Sequence, residues 1–379
     1  MNTKKAQGVS VLFFTNFPPP YTGHTLNNEL VFEWLNDTQK KKINISHREG
    51  RLQSTGLLRI GGIVTHFQKL IELRKELRQR RYSCLYMTFS HSTLGFFKNY
   101  LTILTAKGKV DFIVGHIHTG SYSSLFQKKL LRPFTLSFVT DVDRFIFLSE
   151  RMYAQCASYI PLNKKFVLEN TLSKVLLVTE EEVELKFRSR KKKDTFQLIY
   201  ISNMIPSKGY KDLAKALVFL SSNSDIDFHA TFIGGWVAKS DELEFLSFLS
   251  ENNLEKSVTV LGAISDRQVL RRALLEAHVF ILPTYYPTEC QPVSIIEAMN
   301  AGNAIISTFH AAIPEYVKTD VNGVLVEKMS PLQIHNAIVR LYDFQYWIEC
   351  ATNSRRIFEE KFHPDIVKLK FMDFLETLK

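Results

Sequence analysis

Two glutamates set eight residues apart, Glu289 and Glu297, stand in the stretch 283–302, PTYYPTECQPVSIIEAMNAG. The apolar run ahead of it, AHVFIL at 277–282, reads as a buried strand that empties into a loop. Gln291-Pro292 marks the point where a helix should begin. A loop after a strand presents backbone N–H groups, and a helix start adds partial positive charge, so this order of elements suits an anionic ligand. Glu289 falls in the loop and Glu297 about two turns into the helix. Both can serve one ligand only if it is extended, as a sugar joined to a nucleotide diphosphate is. Lys208, followed by Gly209 at another helix start, supplies a cation able to neutralise a departing diphosphate.

Other residues are weighed for chemistry in the same way. His116 and His118 share a strand face in DFIVGHIH (111–118). His118 ends the strand, where a side chain reaches a ligand, while His116 lies deeper and reads as structural. A metal site from this pair lacks a third ligand. Two D-x-D triplets, Asp141/Asp143 and Asp225/Asp227, precede strands rather than end them and read as loop residues. Cys290 has no histidine near it in sequence and is not expected to act as a nucleophile. Cys84, Cys156, Cys290 and Cys350 are widely spaced, with neither metal-ligand pairing nor a disulfide framework, so reduced thiols are expected.

These residues need a scaffold, and the hydrophobic patterning supplies one. VSVLFFT (9–15), CLYMTF (84–89), DFIVGHIH (111–118), RFIFLS (144–149) and KFVLEN (165–170) read as strands, with helices at 25–38, 61–80 and 93–106 between them. The charged stretch TEEEVELKFRSRKKKD (179–194) reads as a linker or solvated edge. The pattern then restarts with strands at 197–202, 228–235, 257–262, 278–283, 303–308 and 323–327. Strands alternating with helices mean α/β units with parallel sheets covered on both faces. The predicted domains are 1–185, 186–360 and a C-terminal helical segment 361–379 that packs back on the first domain. In such sheets ligands sit at the carboxyl ends of strands.

At 379 residues with 45% hydrophobic content, the chain can build two cores. It contains no apolar run long enough to span a membrane, and Val9 to Phe14 is too short for a signal sequence, so a cytoplasmic protein is expected. The net charge of +10 is uneven: residues 1–190 hold 28 Lys and Arg against 15 Asp and Glu, and the remainder 20 against 23. A basic first half can meet nucleic acid, an anionic membrane or a phosphorylated acceptor.

Six segments in order carry a resemblance to the retaining glycosyltransferases of family 4: NFPPPYTGHTLNNEL (16–30), VGHIHTGS (114–121), SNMIPSKGYKDLAKAL (202–217), FIGGW (232–236), TECQPVSIIEAMNAG (288–302) and IPEYVKTDVNGVLVE (313–327). The resemblance implies the GT-B fold, two facing Rossmann-like domains with a cleft between them. It implies transfer of a sugar from a nucleotide diphosphate sugar with retained configuration and no metal or other cofactor. By resemblance Glu289 binds hydroxyls of the donor sugar and Glu297 the ribose. Lys208 and Gly209 hold the diphosphate, with Asn203 where the family usually has an arginine. Gly234 and Gly235 form the Gly-rich turn, and Cys290, Gln291, Pro292 and Val293 the backbone cradle, to which Pro292 brings no N–H. Gly23 lets the backbone approach phosphate, and His118 contacts the sugar near the reacting centre. Ala311-Ala312 replaces the family's paired glycines.

The expected mechanism is a front-face attack in which the departing phosphate oxygen takes the acceptor proton. The expected acceptor is a glycan or lipid-linked molecule, met by the first domain, whose basic helix near 67–81 and Lys128, Lys129 and Arg132 suit an anionic membrane surface. That implies peripheral attachment to the inner face of the membrane during synthesis of a surface polysaccharide. Two rival readings stand beside it. One is another GT-B enzyme, an epimerase or inverting transferase. The other is a basic nucleic-acid binder, disfavoured because aromatic residues do not interleave the basic runs.

Overall fold

The computed structural model describes residues 8–19, 22–46, 60–190 and 194–379. Pro20 of the 16–30 segment and the basic run 191–193 lie outside the described residues. The chain divides into two compact units, 1–170 with 365–379, and 171–364.

The first unit runs β1 (Val11–Thr15), α1 (Gly23–Glu33), β2 (Lys40–Asn44), α2 (Ile60–Gln79), β3 (Tyr82–Phe89), α3 (Thr93–Ala106), β4 (Val110–Ile117), α4 (Arg132–Asp141), β5 (Arg144–Phe147), α5 (Glu150–Ala154) and β6 (Lys165–Val167). Its six strands are parallel in the order β2-β1-β3-β4-β5-β6. Right-handed crossovers from this order put α1 on one face and α2, α3 and α4 on the other. The packing agrees. Val31 of α1 and Leu35 just beyond it join Val11, Phe13, Cys84 and Tyr86 in one core. On the other face Phe14 meets His66 of α2, and Phe89 and Phe145 meet Phe138 of α4. Both faces of β1 are covered, which is why its sequence is apolar without alternation.

The second unit runs α6 (Glu180–Ser189), β7 (Phe196–Ile201), α7 (Tyr210–Asn223), β8 (Phe228–Ile233), α8 (Lys239–Glu251), β9 (Val258–Val260), α9 (Arg267–Glu276), β10 (Val279–Leu282), α10 (Val293–Asn300), β11 (Ala304–Thr308), β12 (Gly323–Val326), α11 (Pro331–Tyr342) and α12 (Phe344–Lys361). Its parallel order is β12-β11-β10-β7-β8-β9. Finally α13 (Pro364–Glu376) belongs to the first unit, where Val367 and Phe371 enter the core beside α1.

Three sequence expectations need correction. The charged stretch at 179–194 is not a linker: most of it is α6, and the division between units falls at Asn170/Thr171, ahead of the expected boundary at 185/186. Its charges follow helix physics. Thr179 and Glu182 form a capping box, Glu180 and Glu181 occupy the first turn, and Lys186 and Arg188 the last. Lys186 is buried and donates to Ala301 O at 2.7 Å, Asn303 Oδ1 at 3.0 Å and Leu274 O at 3.3 Å, which fastens α6 to the second unit. The helix expected at 25–38 begins at Gly23, capped by Thr22. Lastly, KKKIN at 40–44 is an edge strand with no apolar alternation to announce it. Its lysines lie over aromatic rings instead, Lys40 at 4.6 Å from the Phe32 centroid and Lys42 at 5.1 Å from that of Phe17.

Candidate functional site

Several expected site residues of the second unit gather at the carboxyl ends of β7, β8 and β10. β7 runs out into Ser202 and Asn203, and β8 into Gly234 and Gly235. Met204 N–H donates to Gly235 O at 2.9 Å, and Gly234 N–H to Gly262 O at 2.8 Å. A Cβ on Gly234 would fall 1.7 Å from Ser202 O, so close backbone approach demands glycine there. The Asn203 side chain is exposed, and the residue's backbone carbonyl accepts from Ile205 N–H at 2.8 Å and from the Tyr200 hydroxyl at 3.4 Å.

A tight turn at 206–208 ends in Gly209, whose φ of +85° is left-handed. A Cβ there would meet Pro283 O at 2.4 Å. Glycine thus lets the turn press against the end of β10, where Tyr285 N–H donates to Ser207 O at 2.8 Å. That contact sets Lys208 over the 283–292 loop. Lys208 Nζ is 2.5 Å from Glu289 Oε2, which also accepts from Thr284 Oγ1 at 3.2 Å. The ammonium lies 4.8 Å from the Tyr286 ring centroid. Their side chains are only 14% and 9% exposed, so the ion pair is largely desolvated. An ammonium suits a diphosphate, and a carboxylate accepts two hydroxyl hydrogen bonds, so the pair can address both halves of a phosphorylated sugar.

The loop continues through buried Cys290 and Gln291 to Pro292, which precedes the first residue of α10, Val293. Cys290 O accepts from Ala312 N–H at 3.1 Å. Burial, then the Glu289 charge, pushes its thiol up, which leaves it unreactive. The opening turn of α10 leaves N–H groups without intrahelical partners, as expected of an anion cradle. Glu297 lies farther along α10 and is held by Arg267, the first residue of α9. The two glutamates therefore have separate cations, Lys208 and Arg267. Arg267 was missed by sequence reasoning, because no spacing links α9 to α10. Ala311, where the resemblance expects glycine, adopts φ +48°.

In the first unit His118 stands one residue beyond β4. Its ring centroid is 3.9 Å from that of His116 and 6.4 Å from that of His24 in α1. His116 Nδ1 is 2.5 Å from the Tyr86 hydroxyl, and His24 Nδ1 is 3.0 Å from Thr22 Oγ1. Burial lowers His116 to about 3. Burial, then the neighbouring His116 and His24, holds His118 well below the usual imidazole range, and burial lowers His24 as well. This is a cluster of neutral imidazoles, suited to hydrogen-bonding hydroxyls. Gly23 is exposed at the first position of α1, and the N–H groups of that turn accompany it. His24 and Tyr86 were not singled out from the sequence; His24 lay within the 16–30 segment but carried no spacing signal.

Three of the four D-x-D residues have structural partners. Asp141 pairs with Lys107 at 2.6 Å, Asp143 accepts from Ile113 N–H at 2.7 Å, and Asp227 accepts from the Thr195 hydroxyl at 2.6 Å. Among the described residues no group of three or more His, Cys, Asp or Glu could hold a metal ion, and no helix is long and apolar enough to cross a membrane.

Residues 181–359 match the family described as Glycosyl transferases group 1, a stretch that takes in nearly all of the second unit. The amylovoran biosynthesis glycosyltransferase AmsK of Erwinia amylovora is 22% identical over 241 residues, which are 60% of this chain and 58% of that protein. An uncharacterized glycosyltransferase of Methanocaldococcus jannaschii is 24% identical over 207 residues, 52% of this chain and 50% of that protein. The similarity thus spans little more than half the length of these curated relatives. Among solved structures, HepE of Anabaena in complex with UDP and glucose matches with a TM-score of 0.74 at 14% identity, over 97% of this chain and 100% of that one. Sucrose-phosphate synthase of Thermosynechococcus elongatus matches with a TM-score of 0.74 at 15% identity, over 97% of this chain and 99% of that one. The family match lies within the second unit, and the chain has the α/β GT-B fold of two Rossmann-like domains.

Proposed function

We propose that this chain is a retaining glycosyltransferase that moves a sugar from a nucleotide diphosphate sugar to a glycan or lipid-linked acceptor, in the synthesis of a surface polysaccharide such as O-antigen, capsule or exopolysaccharide. The observation that carries this reading is the largely desolvated Lys208–Glu289 pair at the strand ends, inside the stretch that matches the glycosyltransferase family. The name of the Erwinia relative favours a polysaccharide product. UDP is bound in the Anabaena structure, which makes a UDP-sugar the first donor to test.

Lys208 and the opening N–H groups of α10 hold the donor diphosphate, with Asn203, Gly209, Gly234 and Gly235 shaping the backbone around it. Glu289 takes hydroxyls of the sugar, and Glu297 takes the ribose. His118, kept neutral, hydrogen-bonds a sugar hydroxyl, and Gly23 allows close approach to phosphate. Negative charge grows on the leaving diphosphate as the C1–O bond breaks. Preorganised positive groups therefore stabilise the transition state more than the ground state. The departing phosphate oxygen takes the acceptor proton, and the chemistry needs no metal ion. The reaction takes place on the cytoplasmic side of the membrane, to whose inner face the basic first unit attaches.

A screen of UDP-, GDP-, ADP- and CMP-sugars for binding and slow hydrolysis, with chelator present, tests this reading. One donor should bind and turn over in the wild type, and Lys208→Ala and Glu289→Ala should each lose turnover at least a hundredfold, on the order of one lost transition-state contact. Turnover unchanged in both variants would refute the assignment. A product of inverted anomeric configuration would instead favour an inverting enzyme of the same fold.

A further inference from the structure

The helical layer formed by α2, α3 and α4 carries an unusual outer surface. On α2 the residues Val64, Phe67, Ile71, Arg74, Lys75 and Arg78 recur at helical spacing and are all exposed, Phe67 by 53% and Ile71 by 56%. The stripe is apolar over its first half and cationic over its second. Leu101 and Leu104 continue the apolar surface on α3, which packs against α2. Next to α3, the start of α4 adds Phe134 and Leu136, and Leu130 just before it is 91% exposed. Lys128, Lys129 and Arg132 border that end. The acidic residues of α2 are already engaged: Glu72 by Lys69 at 2.8 Å, and Glu76 by the Tyr82 hydroxyl at 2.5 Å.

Exposed single apolar residues are ordinary on any protein. The second unit has them too, as Leu243 and Leu332, but it holds 21 Lys and Arg against 24 Asp and Glu. The first unit holds 27 against 14. Among the described residues, only there do large exposed side chains on adjoining helices coincide with a strong positive excess. Apolar side chains beside a cationic rim complement an anionic bilayer, with aliphatic and aromatic groups entering the acyl boundary and Lys and Arg meeting headgroups.

We infer that the outer surface of α2, α3 and α4 is a membrane-insertion face, through which the first unit seats itself in an anionic lipid surface with Phe67 and Ile71 buried among the acyl chains. This rests on the proposed membrane-side role and deepens it from charge attraction to insertion. The N-terminal ends of these helices lie toward the carboxyl ends of the strands, so the apolar half of the α2 stripe is also the half nearer the ligand-binding edge of the sheet.

Cosedimentation of the full chain with phosphatidylcholine vesicles, with and without phosphatidylglycerol, tests it. Wild type should bind the anionic vesicles and retain part of that binding in high salt. Arg74→Gln with Arg78→Gln should weaken binding about twenty-five-fold at low salt, at roughly fivefold per charge removed. Phe67→Ser with Ile71→Ser should lose the salt-resistant part by about tenfold or more. The emission of Phe67→Trp should shift to the blue on binding. Vesicle binding that disappears completely in high salt, an unshifted Trp emission, or equal binding by the Phe67/Ile71 variant would overturn the inference. So would a dimer in light scattering that the same variant dissociates, which would assign the surface to a second copy. Donor hydrolysis by these variants should stay at the wild-type level, so a failed vesicle test is distinguishable from a failed transferase assignment.

Discussion

Lys208 and Glu289 lie 81 residues apart in sequence and share one short hydrogen bond in a largely desolvated place. Removing either alone strands the other charge, which costs more than the pair contributes. Lys208→Met should therefore destabilise the second unit by about 2 kcal/mol. The double variant with Glu289→Gln should cost less than the sum of the single changes, because no charge is left behind. Urea midpoints of the four proteins measure the coupling, and strict additivity would show that the two side chains do not interact. The sequence offered both residues as candidates from their local surroundings, a lysine before a glycine at a helix start and a glutamate in a strand-to-helix loop. It could not indicate that they touch. Arg267 was not legible at all, because its partnership with Glu297 depends on how α9 packs beside α10.

At the scale of elements, α6 holds the least expected result. Its sequence is so charged that it reads as solvent-facing, yet Val183 and Lys186 are buried. Lys186 meets three acceptors, two of them backbone carbonyls, and burial pulls its ammonium well below the ordinary lysine range. Replacing it with methionine keeps the stem but leaves these acceptors unpaired. Lys186→Met should cost about 1–3 kcal/mol in the second unit, whereas exposed Arg188→Met should cost almost nothing. Thermal denaturation of the two variants separates these cases; equal small effects would mean that water replaces the lysine. The capping box at Thr179 and Glu182 was present in the sequence and would have identified the helix. The charge run outweighed it because only Val183 and Lys186 of this short helix are fully buried, and such a face gives a weak periodicity.

On the scale of the whole molecule, the chain leaves the first unit at Asn170 and returns to it with α13. Val367, Phe371, Phe374, Leu375 and Leu378 are buried in that unit's core. At about 2 kcal/mol for each such side chain, the contribution is comparable with the entire stability of an ordinary domain. Truncation after His363 should therefore unfold the first unit while the second keeps a cooperative transition. Limited proteolysis with mass spectrometry would detect this as cleavage confined to residues before 171. A truncated chain as resistant as the full one would show that α13 is dispensable. The two halves remain distinct in charge as well, with the positive excess in the first unit and a slight negative excess in the second.

The sequence alone determined every strand but the charged edge strand β2, the alternation of strand and helix, and hence two parallel sheets, because hydrophobic period and turn residues are local signals that survive without tertiary context. It also determined which loops carry candidate chemistry, since a strand running into a helix start is written in consecutive residues. What only the tertiary structure decided are the partnerships: Lys208 with Glu289, Arg267 with Glu297, and His118 with His116 and His24. The sheet order β12-β11-β10-β7-β8-β9 places β7 beside β10, so segments distant in the chain meet at one edge. Spacing along a chain fixes which side a residue faces, but the pairing of strands and the packing of helices fix what it faces.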